Sequence, residues 1–339
     1  MTELSLRAKR TIRGALSAGL AGAIALIFHF NDPYWSVVTV FALMTESSLE
    51  ANFKKGIWRM WGTLLGAVAG VVLANLCASN HLFFLVAVFV LGYVSVYYFY
   101  TSKYPYAWLL GGLTAYMIMM EAPFSISGLY SAAIWRTIEV CTGVIAVWLI
   151  EVTVYPTHNT APPKLRPPMD EAARLRLYQR GIKAGLSAVI TFLLLLKLNW
   201  YGGAVGAVSA VLIAMPNELT TAKRAARLRF WGCFLGALAG LIALNLSFQS
   251  FVLLVFWLIA GAAVFAWYTA GPVNVSYGGL QGGVAYGIAL MPLSGIIASD
   301  ISQPLERTAG IFLGIIVAYI VNLLLWPNVH TSAPLKPST

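Results

Sequence analysis

The sequence predicts an all-α integral membrane protein of about 12 transmembrane helices, arranged as two parallel six-helix repeats around a pseudo-two-fold axis along the membrane normal. Three observations predict this fold. Hydrophobic residues make up 59% of the chain and charged residues only 10%, whereas a soluble domain has about 25% charged residues. Apolar runs of near-spanning length recur from end to end. A large part of the first half is also written again in the second half.

The repeat is clearest in two stretches, RMWGTLLGAVAG from Arg59 and RFWGCFLGALAG from Arg229. Over the 18 residues from Arg59, 10 are identical to the residues 170 positions further on. Further matches join residues 10–18 to 180–188 and, with the offset shifted by one, residues 136–156 to 307–327. Three matched blocks in one order imply a duplicated unit of about 155 residues.

Each predicted repeat contains six apolar segments. In the first repeat they are residues 10–30, 33–45, 57–76, 82–100, 105–120 and 131–155. In the second they are residues 180–198, 200–215, 229–246, 250–269, 273–291 and 303–326. The second and fifth of each set are short against the ~20 residues that a spanning helix needs. The resulting division is a first repeat at 1–156, a cytoplasmic linker at 157–178, a second repeat at 179–330 and a C-terminal tail at 331–339.

The basic residues predict the orientation, because Lys and Arg are enriched in cytoplasmic loops. With six spans in each half, 19 of the 22 Lys and Arg residues lie on one side. Both termini are therefore predicted to be cytoplasmic, in a plasma membrane of the bacterial inner-membrane kind. Omitting the short second segment would leave five spans in each repeat and place Lys54, Lys55 and Arg59 outside. The net charge of +10 is thus attributed to orientation and not to binding of nucleic acid.

The sequence offers little for catalysis. Three cysteines, Cys77, Cys141 and Cys233, stand alone within apolar segments, and the four histidines are scattered. We predict no metal site, no cofactor and no catalytic residues, and the absence of a phosphate-binding loop predicts no ATP hydrolysis. An enzyme and a purely structural scaffold are therefore the less favoured classes of function.

A glycine recurs at every fourth position in the two matched stretches, which gives each helix one smooth stripe for the close approach of another backbone. The stripes consist of Gly62, Gly66 and Gly70, and of Gly232, Gly236 and Gly240. They predict helix packing first and a sliding surface second. Arg59 and Arg229 each precede a tryptophan by two residues, a pairing typical of anchors at the membrane interface.

DPYWSVVTVFALMTES followed by KGIWRMWGTLLGAVAG resembles the fusaric-acid-resistance-like membrane domain, the FUSC family, which includes aromatic acid exporters. The family is distantly similar to plant aluminium-activated malate transporters. The matching features are the pair Tyr34–Trp35, a polar helix end, a basic stretch and R-x-x-G-T-x-x-G from Arg59. In the second half the aromatic pair is reversed, as Trp200–Tyr201. The resemblance implies transport, makes both pairs candidate substrate-binding residues, and implies a periplasmic adaptor for some members.

Charged residues inside apolar segments indicate where a substrate could bind. Arg136 and Arg307 are each followed by threonine and occupy matching positions near the outer end of a sixth segment. They could reach the lipid headgroups, or face each other and hold a carboxylate with two parallel hydrogen bonds. Glu139, one turn after Arg136, is an ion-pair partner or a proton carrier. Glycine-broken segments from Ala107 and Val273 mark a binding region or a tight crossing of helices.

The leading hypothesis is an exporter of small organic anions, aromatic or amphipathic, that uses a path between the two repeats. Its partners would be membrane lipid and the anion itself. The alternative is an organic-anion channel without ion coupling. The reversal potential, measured with and without a pH gradient, separates the two.

Overall fold

The computed structural model describes residues 5–46, 48–77, 79–121, 128–158, 170–200, 204–216, 219–248, 250–291 and 302–326. Within these ranges the chain forms helices and no strands. The helices are α1 (Leu6–Ile27), α2 (Tyr34–Leu43), α3 (Leu49–Cys77), α4 (His81–Thr101), α5 (Pro105–Glu121), α6 (Gly128–Thr153), α7 (Glu171–Lys197), α8 (Ala204–Ala214), α9 (Leu219–Leu246), α10 (Phe251–Thr269), α11 (Val273–Leu290) and α12 (Ser302–Leu324).

Each predicted apolar segment is a helix, but three helices begin well before the predicted start. Helices α3 and α9 begin at Leu49 and Leu219, ahead of the basic stretches that precede the predicted apolar segments. Lysine and arginine are good helix formers, so charge alone does not end a helix. Helix α7 begins at Glu171, inside the predicted linker, where the Asp170 side chain accepts a 2.6 Å hydrogen bond from the Ala173 N–H. Linker residues 159–169 lie outside the described ranges.

Eight of the described helices are long and apolar enough to cross a membrane, which makes the chain a membrane protein. The other four are α2, α5, α8 and α11. Helix α2 has 10 residues, of which nine are buried. At ~1.5 Å per residue such a helix covers about half of the hydrocarbon core. It therefore lies inside the bundle as a short buried segment, and the count of 12 spanning helices stays a prediction.

The helices pack in matching pairs. Helix α3 packs along α5 and α9 along α11, while α2 packs on α6 and α8 on α12. Further contacts join the halves of the chain: α1 packs on α10, α4 on α7 and α2 on α11. Two hydrophobic clusters result, one around α2 and the other around α8.

Both glycine stripes face a neighbouring backbone. A Cβ added at Gly62 or Gly70 would lie 2.7 Å from a carbonyl oxygen of α5, and one at Gly66 would collide with the backbone of Gly111. The second stripe meets α11 in the same way: Gly232 faces Gly278, Gly236 faces Gly282, and Gly240 faces Tyr286 and Ala289. The stripes thus let α3 and α9 lie directly on α5 and α11. Each of these contacts is made within one half of the chain.

Candidate functional site

The turn between α1 and α2 carries the first component of the site. Helix α1 ends at Ile27, and His29 adopts a left-handed backbone conformation with φ 52°, which redirects the chain. Pro33 then precedes the first residue of α2. The Ser36 hydroxyl donates a 2.9 Å hydrogen bond to the Glu139 carbonyl oxygen, which docks α2 on α6. The position of Asp32, at the end of this turn, is therefore determined by α6.

Asp32 lies between the two arginines that the sequence singled out. Its Oδ2 atom is 3.4 Å from Nη2 of Arg136 on α6. Its Oδ1 atom is 3.6 Å from Nη2 of Arg307 on α12. The two helices come from opposite halves of the chain, and each carboxylate oxygen faces one guanidinium. One carboxylate thus bridges the arginines.

Each guanidinium also lies on an aromatic ring. The Cζ atom of Arg136 is 3.9 Å from the ring centroid of Trp35, and that of Arg307 is 4.4 Å from the centroid of Tyr34. A cation over an aromatic face is attracted by the ring quadrupole. The two rings are neighbours on α2, with centroids 5.3 Å apart. Consecutive residues of one short helix therefore support cations from both halves of the chain.

Glu139 on α6 is the second acidic residue of the cluster. Its side chain is fully buried, and its Oε1 atom accepts a 2.7 Å hydrogen bond from the Asp32 backbone N–H. The second oxygen lies 3.7 Å from Nε of Arg136 and has no hydrogen-bond partner among the described residues. The side chain of Arg136 is only 9% exposed. Arg136 therefore points into the bundle and does not extend toward the headgroups.

Trp200, the described member of the second aromatic pair, is not at this cluster. Trp200 packs against the hydrophobic cluster around α8, and Tyr201 lies outside the described residues. The backbone gives Trp200 another counterpart. The Trp200 N–H donates a hydrogen bond to the Leu195 carbonyl oxygen, and the preceding residue, Asn199, has a left-handed backbone. In the same way, the Phe30 N–H donates to the Ala25 carbonyl oxygen and follows left-handed His29. Trp200 therefore corresponds to Phe30, and reading it as a reversed Tyr34–Trp35 pair is a register error between similar aromatic residues.

Arg59 and Arg229 are not interface anchors, because both are 4% exposed. Arg59 donates to the Thr39 hydroxyl at 3.1 Å and to the Tyr106 hydroxyl at 2.8 Å. Arg229 repeats this arrangement with Ser209 at 2.9 Å and Tyr277 at 3.3 Å. The neighbouring Trp61 and Trp231 are about half exposed. Arginine and tryptophan two residues apart on a helix face in different directions, so the arginine enters the bundle while the tryptophan faces outward.

Sequence reasoning missed Asp32, although it lies in the quoted DPYW stretch. A usable signal was present. The chain has 12 acidic residues, and Asp32 lies two residues before a buried helix that carries the two aromatic candidates. An acidic residue at the mouth of an apolar segment is as informative as a basic one, because either is costly to place near hydrocarbon.

Comparison with known proteins places this geometry in a family context. The profile of the fusaric acid resistance protein family matches residues 9–179. Two curated relatives, each described as the uncharacterized transporter YdhK, come from Escherichia coli strain K12 and Escherichia coli O157:H7. Each is 28% identical over 138 residues, which is 40% of this chain and 20% of the relative. The matched part thus spans about a fifth of the length of those relatives. No solved structure matches the chain.

Proposed function

The chain belongs to the fusaric acid resistance protein family, and from that premise we propose that it exports small organic anions, aromatic or amphipathic, across a bacterial inner membrane. Family membership and the transporter relatives support a membrane transporter. One observation carries the substrate class. Arg136 and Arg307 come from different halves and approach the two oxygens of one carboxylate at 3.4 and 3.6 Å.

Asp32 occupies the place of the substrate's own carboxylate in this proposal. Paired guanidinium groups recognise a carboxylate through charge-assisted hydrogen bonds. An organic anion would displace Asp32 from one or both arginines, and the faces of Trp35 and Tyr34 beside them would contact its apolar body. The aromatic neighbours favour substrates whose carboxylate is attached to a ring or another flat apolar group.

Charge balance connects this step to protons. The ion pairs join two cations, Arg136 and Arg307, to two anions, Asp32 and Glu139, and Glu121 at the end of α5 is a further acid that interacts electrostatically with both arginines. A bound monoanion would leave an uncompensated negative charge, which is costly in a buried site. Protonation of Glu139 removes one negative charge when the anion binds, and the charged groups acting on Glu139 are Arg136, Asp32 and Arg307. We propose Glu139 as the proton-coupling residue.

The proposed path runs between two six-helix repeats related by a pseudo-two-fold axis, with both termini cytoplasmic. Equivalent contacts in the two halves support the division into two repeats. Arg13 donates to the Tyr155 carbonyl oxygen at 3.3 Å, and Lys183 donates to the Trp326 carbonyl oxygen at 3.2 Å. Both acceptors have left-handed backbones. The contacts of Arg59 and Arg229 with their hydroxyl partners form a second equivalent set.

The proposal is tested by replacing Arg136 or Arg307, called here the clamp arginines, with lysine. Lysine keeps the positive charge and lacks the planar guanidinium group. In proteoliposomes at matched protein content, Arg136→Lys and Arg307→Lys should weaken the apparent affinity for an aromatic carboxylate such as benzoate by about tenfold or more, since a charge-assisted hydrogen bond contributes about 1.5–3 kcal/mol. Arg227→Lys, at an exposed position of α9, is the matched control. Unchanged affinity in both clamp variants contradicts the proposal.

The channel alternative differs in its coupling. Flux through a channel follows the electrochemical gradient of the anion alone, so its reversal potential ignores a pH gradient. A proton-coupled exporter shifts its reversal potential when the pH gradient is imposed. Glu139→Gln should abolish that shift while leaving benzoate binding measurable. A wild-type reversal potential that is insensitive to pH favours the channel and contradicts the coupling role of Glu139.

A further inference from the structure

An apolar groove lies on the outer face of the first half, between α3, α4 and α5. Its volume is about 530 Å³, within the ~300–1,000 Å³ range of ligand cavities. Gly62, Gly66, Gly111 and Gly112 line its floor. The side chains of Trp61, Leu65 and Trp108 flank it and are 52%, 63% and 41% exposed. The groove is therefore open toward the surroundings of the bundle.

One difference between the halves bears directly on the groove. Ser95 lines it on α4, and Phe265 stands at the matching place on α10, 170 residues later. A Cβ added at Gly282 of α11 would lie 2.5 Å from the Phe265 ring, whereas the nearest atom to one at the matching Gly111 would be the Gly62 carbonyl oxygen, at 3.2 Å. The Ser95 hydroxyl donates to the Leu91 carbonyl oxygen of its own helix. The open space thus has an apolar lining.

One end of the groove carries aromatic rings and positive charge. The rings of Trp58 and Tyr104 close this end, with centroids 4.1 Å apart. Exposed Lys54 lies one turn before Trp58, on the helix face that continues into the groove, and exposed Lys103 directly precedes Tyr104. Tryptophan, tyrosine and lysine together are typical of the level of lipid headgroups.

We propose that this groove binds an anionic phospholipid. One acyl chain lies over the glycine floor between α3 and α5, and the headgroup phosphate is attracted by Lys54 and Lys103. The apolar walls fit the chain, the open side admits it from the bilayer, and the two lysines select a negative headgroup. A second protein copy would bring no obligatory negative charge to the same end. The inference does not depend on the transport proposal.

Native mass spectrometry of the purified protein tests it directly. Delipidated protein is titrated with phosphatidylglycerol and, separately, with phosphatidylcholine of the same acyl chains. The wild type should bind one phosphatidylglycerol in clear preference to phosphatidylcholine. Ser95→Phe, which imitates Phe265, should remove this site. Val90→Phe adds the same ring on an exposed face of α4 outside the groove and should leave binding unchanged.

The headgroup is tested by replacing both lysines. Basic residues near a membrane surface attract anionic lipid, so Lys54→Gln with Lys103→Gln should reduce the preference for phosphatidylglycerol by about tenfold or more. Equal binding of both lipids by the wild type, or full binding by Ser95→Phe, would overturn the proposal. Loss of a dimer in Ser95→Phe without loss of lipid would identify the groove as a contact between copies and also overturn it.

Discussion

Asp32→Asn is the sharpest perturbation of the site. It keeps the size of the side chain and removes the negative charge that bridges Arg136 and Arg307. If the substrate's carboxylate must displace Asp32, the variant should bind organic anions more tightly, because the internal competitor has lost its charge. If Asp32 only orders the site, the variant should bind them more weakly.

The structure sets the size of the effect. The two ion pairs, at 3.4 and 3.6 Å, are longer than the ~2.7–2.9 Å of a strong charge-assisted hydrogen bond. We therefore assign them about 1.5 kcal/mol each, at the low end of the range for such bonds. A substrate that replaces one or both contacts recovers about 1.5–3 kcal/mol, which corresponds to a ten- to hundredfold gain in affinity.

Isothermal titration with benzoate measures this gain in detergent, and thermal unfolding supplies a second readout. The variant without ligand should unfold at a lower temperature than the wild type, because Arg136 and Arg307 have each lost an ion pair. Benzoate should then raise its unfolding temperature more than it does for the wild type. Asp32→Glu keeps the charge and should not gain affinity. Weaker benzoate binding by Asp32→Asn would refute the displacement of Asp32 by the substrate.

Three further perturbations test the fold. Gly66→Leu and Gly236→Leu insert a side chain against a backbone. Overpacking of this kind costs about 1–3 kcal/mol, so both should assemble poorly in detergent by size-exclusion chromatography. Thr39→Val removes an acceptor from a buried guanidinium and should cost about 1–3 kcal/mol in thermal stability; an unchanged unfolding temperature would show that the hydrogen bond is dispensable. In a cysteine-free background, Lys54→Cys and Arg224→Cys, at exposed matching positions, should react only with reagent supplied from the cytoplasmic side; labelling of either from outside contradicts the six-plus-six topology.

The helices could be predicted because their signal is local. Long apolar runs require helices in a membrane, since the backbone has no other hydrogen-bond partners there. The starts of α3 and α9 could not be predicted from hydropathy, because basic residues continue a helix as readily as apolar ones. The close packing of the glycine stripes could also be predicted from the sequence. In the structure, Gly66 and Gly236 each face the backbone of another helix.

The site was predictable only in part. Arg136, Arg307 and Glu139 stood out because charges are rare in apolar segments. Asp32 did not, because it precedes its helix, and only the tertiary fold brings it to both arginines. The burial of Arg59 was likewise hidden, because its partner hydroxyls come from two other helices and no local pattern indicates them.

The acidic members of the cluster belong to one half of the chain only. At the positions of the second half that match Asp32 and Glu139, the sequence has Gly202 and Gly310. An assembly of two identical subunits would supply both acids twice and surround two arginines with four carboxylates, a strongly anion-repelling arrangement. A single chain avoids this, because each half can carry different residues at matching positions. Covalent linkage of the two halves is therefore what allows one carboxylate to lie between the two arginines.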